Sequence, residues 1–351
     1  MKNSIVVNHT FTSRTLANKL VNPIGLGCMG MSEFYGQTDE QQSLDVLHKA
    51  LELGVNHFDT ADVYGYGHNE ALLGRFIRTL GSAGRENISL ATKCGIVRDN
   101  DVASRNVDNS PEYIRKACQA SLSRLNTHID LYYLHRIQDQ GLYIDESMSA
   151  MADLLKEGKI QAVGLSEVSP EIILKADQSL KKYTQGKHGI SAVQTEYSIV
   201  TPTVEKNGVL AAIEEIGAKL VAYSPIGRGM LTGKLLSLDT LAQDDFRRSL
   251  PRFSNDNLKE NNRLVEAICM LAKEKNVTPA QLSLAWLLAR SEHVIAIPGT
   301  KREKYLIENV AALKAQLSHS DMQFIDEVMT NHPIQGLRYA QPAMAAYGLE
   351  E

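Results

Sequence analysis

The sequence predicts an α/β protein folded as a single (β/α)8 TIM barrel, with residues 1–351 forming one domain. Three observations lead to this prediction. Eight short apolar runs recur along the 351 residues, amphipathic stretches separate them, and glycines stand where a helix ends and a strand begins. Apolar strands that alternate with helices are typical of a parallel sheet covered on both faces. The length also suits one barrel.

The eight candidate strands cover residues 24–27, 56–60, 88–93, 130–135, 162–166, 192–197, 219–224 and 294–298. Between them, apolar residues recur at every third or fourth position, as on a helix with one buried face. Gly54, Gly158 and Gly217 each follow such a pattern and precede a strand, which predicts left-handed residues at three helix ends. Ser110 and Thr278, each followed by proline, predict two helix starts.

A doubly wound open sheet is the alternative architecture. Gly25, Gly27 and Gly30 match the glycine spacing of a dinucleotide-binding loop. The residues that follow do not open directly into a helix, however, and no acidic residue ends a second strand at the distance that a ribose contact requires. Because this glycine pattern is weak outside its strand–loop–helix context, the eight units favour the barrel.

Two segments depart from the regular alternation of strands and helices. Ser224 and Val294 are 70 positions apart, about twice the usual spacing of a β-α-β unit. We therefore expect a long loop after the seventh strand that overhangs the carboxyl-terminal rim of the barrel. The residues after the eighth unit end in a tail rich in Pro, Gly and Ala, which we expect to fold over the same rim.

The composition excludes several classes of protein. A formal net charge of −4 argues against a nucleic-acid binder, which needs a basic face. The N-terminus lacks the apolar core of a signal peptide, and no window reaches the roughly 18 consecutive apolar residues of a membrane span. The four cysteines, Cys28, Cys94, Cys118 and Cys269, are scattered, which predicts reduced, buried thiols and no metal site. We expect a soluble cytoplasmic protein; whether it forms a homo-oligomer stays open.

Four ionisable residues lie at the ends of neighbouring candidate strands. Asp59 ends the second strand, Tyr64 follows in its loop, Lys93 ends the third strand and His135 ends the fourth. Singly, each residue is equally typical of a cap, a solvated charge or a core hydrogen bond. In a closed barrel, however, the carboxyl ends of all strands open onto one face, so the four side chains are predicted to converge there.

This combination suits the reduction of a carbonyl group. Hydride transfer to a carbonyl creates an alkoxide that must be protonated. A tyrosine with a pKa of about 10 is a poor acid–base group near neutrality unless its ionised form is stabilised, which a neighbouring Lys93 would do for Tyr64. Asp59 would hold the ammonium, and His135 would hydrogen-bond the carbonyl oxygen. The hydride itself must come from a cofactor, because no side chain supplies one.

The chain resembles the aldo-keto reductases from about residue 18 to residue 340. The segments that carry the resemblance are FDTADVYGYGHNEALLG at 58–74, ATKCG at 91–95, IDLYYLHR at 129–136, GLSEVSP at 164–170, VQTEYS at 193–198, AYSPIGRGMLTGK at 222–234 and IPGTKREKYLIENV at 297–310. More narrowly, it is similar to the microbial and plant branch that includes pyridoxal reductases and relatives of the potassium-channel β subunits.

The resemblance implies a role for each matching position. Tyr64 is the general acid, Lys93 and Asp59 tune it, and His135 orients the substrate carbonyl. The implied cofactor is NADP(H), and its binding positions run from the nicotinamide to the adenine end: Ser166, Gln194, Tyr223, Ser224, Pro225, Ile226, Arg228, Thr300, Lys301, Arg302, Glu308 and Asn309. Ser166 and Gln194 match the pair that binds the nicotinamide amide, and Tyr223 matches the aromatic residue that stacks on the ring.

Two positions depart from the best-studied branch of that family. Glu167 replaces the asparagine that follows the strand-five serine, which weakens the expected amide contact. Tyr305 replaces an arginine three residues before the Glu308–Asn309 pair. Recognition of a 2′-phosphate then depends on Lys301 and Arg302, and two adjacent cations suit a phosphate better than a bare ribose. The sequence therefore favours NADPH over NADH.

Other residues support weaker hypotheses. Phe34 and Tyr35 are candidate substrate contacts. Arg247 and Arg248 cover the cofactor, bind an acidic substrate or are simply solvated. Trp286 has the helical spacing of a core residue. The leading function is NADPH-dependent reduction of small aldehydes or activated ketones. The alternatives are an NADP(H)-binding redox-sensing subunit with little turnover and a Schiff-base lyase that uses Lys93 as its nucleophile.

Overall fold

The computed structural model describes residues 11–34, 36, 38–98, 105–243 and 245–346, so Tyr35 lies outside the described residues. The strands are β1 (Arg14–Leu16), β2 (Lys19–Val21), β3 (Leu26–Gly27), β4 (His57–Asp59), β5 (Ser89–Cys94), β6 (Ile96–Arg98), β7 (Arg105–Val107), β8 (Leu131–Leu134), β9 (Val163–Ser166), β10 (Ile190–Glu196), β11 (Lys219–Tyr223) and β12 (Val294–Ala296). The α-helices are α1 (Glu40–Glu52), α2 (His68–Glu86), α3 (Pro111–Leu125), α4 (Ile144–Lys156), α5 (Pro170–Tyr183), α6 (Val209–Glu215), α7 (Asn255–Glu274), α8 (Pro279–Arg290), α9 (Glu303–Ala311), α10 (His319–Asn331) and α11 (Gln341–Ala346).

Eight parallel strands form the central sheet in the order β3-β4-β5-β8-β9-β10-β11-β12. The two edge strands meet through parallel bridges that join Ile24 to Ala296 and Gly27 to Gly299. The Gly25 amide donates to the Ala296 carbonyl at 2.8 Å. This approach needs a glycine at position 27, because a Cβ there would lie 2.9 Å from the Ile297 carbonyl oxygen. The sheet thus closes into the predicted (β/α)8 barrel.

The predicted helix boundaries are confirmed. Gly54, Gly158 and Gly217 have φ angles of 80°, 69° and 72°, which is the left-handed conformation that glycine adopts most readily. Ser110 caps α3 through its side chain, and Thr278 forms a capping box at the start of α8. Proline occupies the first turn of both helices, where its missing amide costs no hydrogen bond.

Small and aliphatic side chains, together with Tyr133, fill the barrel interior. A hairpin that was not predicted from the sequence closes the amino-terminal end. Leu16 and Val21 of the β1–β2 hairpin pack against strand residues of the interior, namely Ala91, Leu131, Tyr133, Ala192, Val221 and Ile295. Arg14 anchors this hairpin by donating to the carbonyls of Leu288 and Ser291. The opposite, carboxyl-terminal end is therefore the open one.

Two long segments cover the carboxyl-terminal rim, as predicted. After β11 the chain makes four 3-10 turns, Gly227–Thr232, Leu238–Thr240, Phe246–Ser249 and Pro251–Phe253, before α7 begins. The C-terminal tail, residues 332–340, is joined both to this segment and to α7. Arg252 of the segment donates to the Gly336 carbonyl, and Asn261 of α7 exchanges two hydrogen bonds with the backbone of Gln335. Trp286 is fully buried, which confirms its predicted place in the core.

Within the described ranges, no helix combines the length and apolar content that crossing a bilayer requires. The same residues include no group of three or more His, Cys, Asp or Glu side chains arranged to hold a metal ion. Cys28, Cys94 and Cys118 are buried thiols, whereas Cys269 is only half-buried.

Candidate active site

The four ionisable residues singled out from the sequence meet at the carboxyl ends of adjacent strands. Asp59 is the last residue of β4, Lys93 is the penultimate residue of β5, and His135 directly follows β8. Tyr64 begins a short 3-10 helix in the loop after β4. Because β4, β5 and β8 are parallel neighbours, their ends bring these side chains together.

Lys93 lies at the centre of the group and is completely buried. Its ammonium donates to Asp59 Oδ1 at 2.5 Å, to the Thr60 carbonyl at 2.7 Å and to the Tyr64 hydroxyl at 3.4 Å. An ammonium has three protons, so these three acceptors match its full donor capacity. Asp59 Oδ2 accepts a further hydrogen bond from Gln194 at 2.7 Å.

Burial and charge shift the pKa values of this group in specific directions. Burial lowers the pKa of Lys93 more than any other single cause, but Asp59 and Tyr64 together outweigh burial, so that the lysine pKa lies above its ordinary value. Burial raises the pKa of Tyr64, Lys93 lowers it and Asp59 raises it again, which leaves it above the ordinary value. The sequence predicts that Lys93 stabilises the ionised form of Tyr64; Lys93 does lower the pKa, but burial, which favours the neutral phenol, has the larger effect. Tyr64 is therefore a protonated phenol at neutral pH.

His135 faces Tyr64 across the site. The two rings are edge to face, with centroids 5.7 Å apart and planes at 84°. The neighbouring Arg136, which the sequence analysis assigned no role, donates to the His135 carbonyl at 2.8 Å and to Ser166 Oγ at 3.4 Å. Arg136 thus adds a buried cation to the same end of the site, and its position directly after His135 is the only sequence signal for it.

A cavity of about 750 Å3 extends from this group across the rim, within the size range of small-molecule sites. Lys93 lies beneath its surface rather than on it. The other predicted residues that the structure describes line the cavity: Phe34, Asp59, Tyr64, His135, Ser166, Gln194, Tyr223, Ser224, Pro225, Ile226, Arg228, Thr300, Lys301, Arg302, Glu308 and Asn309. Residues from six separate strand ends and from the long segment after β11 thus form one continuous surface.

The loop after β11 begins at Tyr223 and passes along the middle of the cavity. Ser224 and Arg228 have positive φ angles of 49° and 54°, so the backbone turns sharply there. The Arg228 guanidinium donates to Glu196 at 3.1 Å and to the Tyr339 hydroxyl at 2.7 Å. Tyr339, which belongs to the C-terminal tail, also lines the cavity and lies 3.3 Å from the Tyr223 hydroxyl. Tyr339 was not predicted from the sequence to be a site residue.

The far end of the cavity is cationic. Lys301 and Arg302 line it just before α9, and Thr300 Oγ1 accepts from the Arg302 amide at 3.1 Å. Lys234, from the long segment after β11, adds a third cation that the sequence analysis left without a role, and its ammonium lies 5.7 Å from the centre of the Tyr305 ring. This end combines positive charge with an aromatic ring.

Arg247 and Arg248 have different environments. Arg247 lines the cavity, pairs with Asp245 at 2.7 Å and donates to the Arg228 carbonyl at 3.1 Å. Arg248 donates to the carbonyls of Leu238, Leu241 and Ala242. Arg248 therefore stabilises the long segment itself, whereas Arg247 belongs to the cavity wall.

The chain is similar in sequence to one protein family and to individual proteins of that family. A model described as the aldo/keto reductase family matches residues 23–330. An aldo-keto reductase of Schizosaccharomyces pombe, whose name specifies NADP(+), is 40% identical over 330 residues, which span 93% of this chain and 94% of that protein. A probable aldo-keto reductase of Glycine max is 38% identical over 321 residues, which span 91% of this chain and 88% of that protein.

Solved structures show the same similarity in three dimensions. A glycerol dehydrogenase from Gluconobacter oxydans aligns with a TM-score of 0.79 at 26% identity, covering 94% of this chain and 98% of that one. An aldo/keto reductase from Klebsiella pneumoniae, solved in complex with NADP and acetate, aligns with a TM-score of 0.68 at 25% identity, covering 94% and 99% of the two chains.

Proposed function

This chain belongs to the aldo/keto reductase family, and on that premise we propose that it reduces aldehydes or activated ketones to alcohols with NADPH. The observation that supports this most directly is the buried contact of Lys93 with both Asp59 and the Tyr64 hydroxyl. Through this contact a buried cation lies next to the Tyr64 phenol, which lines a cavity within the size range of small-molecule sites.

In the proposed mechanism, NADPH supplies the hydride when it is bound. Tyr64 donates its hydroxyl proton to the carbonyl oxygen as negative charge develops there. Lys93 stabilises the phenolate that remains, since its ammonium already lies 3.4 Å from the hydroxyl oxygen. Asp59 holds the ammonium in place, and His135 hydrogen-bonds the carbonyl oxygen and orients it toward Tyr64.

The cavity also offers groups suited to each part of the cofactor. We propose that Ser166 and Gln194 bind the nicotinamide amide and that Tyr223 stacks on the ring. The turn from Ser224 to Arg228 would hold the pyrophosphate, and Thr300, Lys301 and Arg302 would bind the 2′-phosphate. Glu308 and Asn309 contact the adenine. The cations at the far end suit a phosphate because each adds a charge-assisted hydrogen bond.

The environment of Lys93 argues against a Schiff-base lyase. A nucleophilic lysine must be unprotonated and able to reach its substrate. Lys93 is fully buried, its pKa is raised by Asp59, and its three hydrogen bonds match its donor capacity. The described contacts thus favour a role in tuning Tyr64.

The test is NADPH oxidation measured across a panel of aldehydes, quinones, sugars and pyridoxal. We expect the protein to quench NADPH fluorescence and to oxidise NADPH in the presence of a reactive aldehyde such as 4-nitrobenzaldehyde. Tight NADPH binding without turnover on any carbonyl compound would contradict the reductase and leave a cofactor-sensing subunit. Borohydride trapping of a substrate adduct on Lys93 would instead support the lyase.

A further inference from the structure

Glu167 is a buried carboxylate directly behind the end of the cavity that we assign to the nicotinamide. It follows Ser166 at the end of β9 and has a φ angle of 52°, a left-handed conformation that favours glycine. Its side chain is 3% exposed, and its Oε1 accepts from the Glu196 amide at 3.0 Å. A bulky side chain held this firmly in an unfavoured conformation indicates that its contacts determine its position.

The tail residue Arg338 is the cation that pairs with Glu167. Its guanidinium lies 3.2 Å from each of the two carboxylate oxygens, and its side chain is 6% exposed. The adjacent Tyr339 reaches the Tyr223 hydroxyl. The tail therefore contributes the charge of Arg338 and the cavity-lining side chain of Tyr339 to the same end of the site.

Glu167 lies beside strands β9, β10 and β11, whose residues Ser166, Gln194 and Tyr223 line the cavity. The Glu167 amide donates to the Gln194 carbonyl at 3.0 Å, Ser166 precedes it, and Glu196 pairs in register with Tyr223. Glu167 itself does not line the cavity. Any influence of its charge on a ligand in the cavity is therefore electrostatic rather than by contact, and low-dielectric surroundings strengthen such an influence.

The Glu167 charge affects the pKa of the Tyr223 phenol. Burial raises the pKa of Tyr223, and Glu167 raises it further, whereas Arg338 lowers it by less. At the Tyr223 hydroxyl, Glu167 thus has a larger effect than Arg338. Under the proposed function, the nicotinamide stacks on the ring that carries this hydroxyl.

We propose that Glu167 stabilises the oxidised, cationic nicotinamide relative to the reduced, neutral one, and that Arg338 partly offsets this effect. The inference rests on the proposed function, because it needs the cofactor in this cavity. NADP+ and NADPH carry the same phosphates, so the ring charge is the difference that Glu167 and Arg338 distinguish. A carboxylate behind the ring makes bound NADPH a stronger hydride donor than an uncharged residue at position 167 would.

The test compares the dissociation constants of NADP+ and NADPH, measured by calorimetry and by fluorescence titration, without any substrate. Glu167→Gln removes the charge but keeps an oxygen that accepts from the Glu196 amide. We expect the ratio of the NADP+ constant to the NADPH constant to rise about tenfold in this variant. Adding Arg338→Met to Glu167→Gln also removes the opposing charge of Arg338, and the ratio is expected to fall back toward the wild-type value.

Glu171→Gln is the matched control, because it removes a carboxylate charge at an exposed position in the first turn of α5, outside the cavity wall. It is expected to leave the ratio within about twofold of wild type, since solvent and salt screen an exposed charge. An unchanged ratio in Glu167→Gln, or a ratio that fails to fall in the double variant, would overturn the inference. Failure of the wild-type protein to bind either cofactor would instead overturn the proposed function.

Discussion

Two buried carboxylates at opposite ends of the barrel are held by lysines in different ways. At the amino-terminal end, Asp130 precedes β8 and pairs with Lys19 at 2.9 Å and with Arg85 at 2.8 Å, and it accepts from the Leu90 amide. Burial raises its pKa, but His128, Arg85 and Lys19 together outweigh burial and lower the pKa to about 2. This cluster, formed by Asp130, Lys19, Arg85 and His128, ties the N-terminal hairpin to the barrel.

At the carboxyl-terminal end, Asp59 has Lys93 and the Gln194 amide as its partners. Lys93 also contacts the Tyr64 hydroxyl, which faces the cavity. At the amino-terminal end, the carboxylate is surrounded by several cations and stabilises the fold. At the carboxyl-terminal end, under the proposed function, the lysine–carboxylate pair assists proton transfer, because its one cation also contacts an ionisable phenol. The following predictions test this division.

Tyr64→Phe tests the carboxyl-terminal end and has the largest expected effect. Without the phenolic proton donor, kcat should fall by about 10^2–10^4, while the dissociation constant of NADPH and the free energy of unfolding change little. Steady-state kinetics, fluorescence titration and denaturant unfolding measure the three quantities. Tyr66→Phe is the matched control, since Tyr66 lies in the same turn but is 64% exposed. Retention of more than a tenth of kcat in Tyr64→Phe would contradict the mechanism.

Asp130→Asn tests the amino-terminal end. It leaves Lys19 and Arg85 without their buried carboxylate, so the free energy of unfolding should fall by about 3–5 kcal/mol, with kcat unchanged. Denaturant unfolding measures the first and steady-state kinetics the second. The control is Asp153→Asn, which removes an exposed partner of Arg115 and should cost about 0–1 kcal/mol. If Asp130→Asn lost kcat without a loss in the free energy of unfolding, the division of roles between the two ends would be wrong.

The pH dependence of stability provides a separate test of Asp130. Its folded pKa of about 2 lies below the unfolded value of about 3.9, so its contribution is present above pH 3.9 and is lost as the pH falls toward 2. The shift corresponds to about 2 kcal/mol. The difference in unfolding free energy between wild type and Asp130→Asn should therefore shrink over this range, as urea unfolding at several pH values would show. A constant difference from pH 5 to pH 2 would rule out this linkage.

Lys301→Ala and Arg302→Ala have the smallest expected effect. Each should raise the dissociation constant of NADPH about tenfold, because each removes a charge-assisted contact to the 2′-phosphate, while that of NADH stays the same. Fluorescence titration with both cofactors measures this, and unfolding should confirm unchanged stability. Lys304→Ala is the control, since Lys304 does not line the cavity and its ammonium lies 4.8 Å from the centre of the Tyr305 ring. Equal weakening of NADPH and NADH would exclude a role in phosphate recognition.

The order of strands and helices could be predicted because it is encoded in short runs of residues. Periodic apolar positions, the glycines at 54, 158 and 217, and the capping residues Ser110 and Thr278 act within one or two turns of chain. The convergence of Asp59, Lys93 and His135 followed from the same information, since parallel strands present their carboxyl ends on one face. The β1–β2 and β6–β7 hairpins escaped prediction because strands of three residues are too short to show a period.

The sequence by itself thus determined the barrel, the open rim and the residue types at its strand ends. Only the tertiary structure decided which further side chains join them and which of them are in direct contact. Asp59 and Gln194 are 135 positions apart, and Glu167 and Arg338 are 171 apart. Such contacts depend on how the barrel closes and on the path that the C-terminal tail takes across it. The balance of charge and burial at Tyr64 was also decided by packing, because the strength of an electrostatic interaction depends on the surroundings that the fold creates.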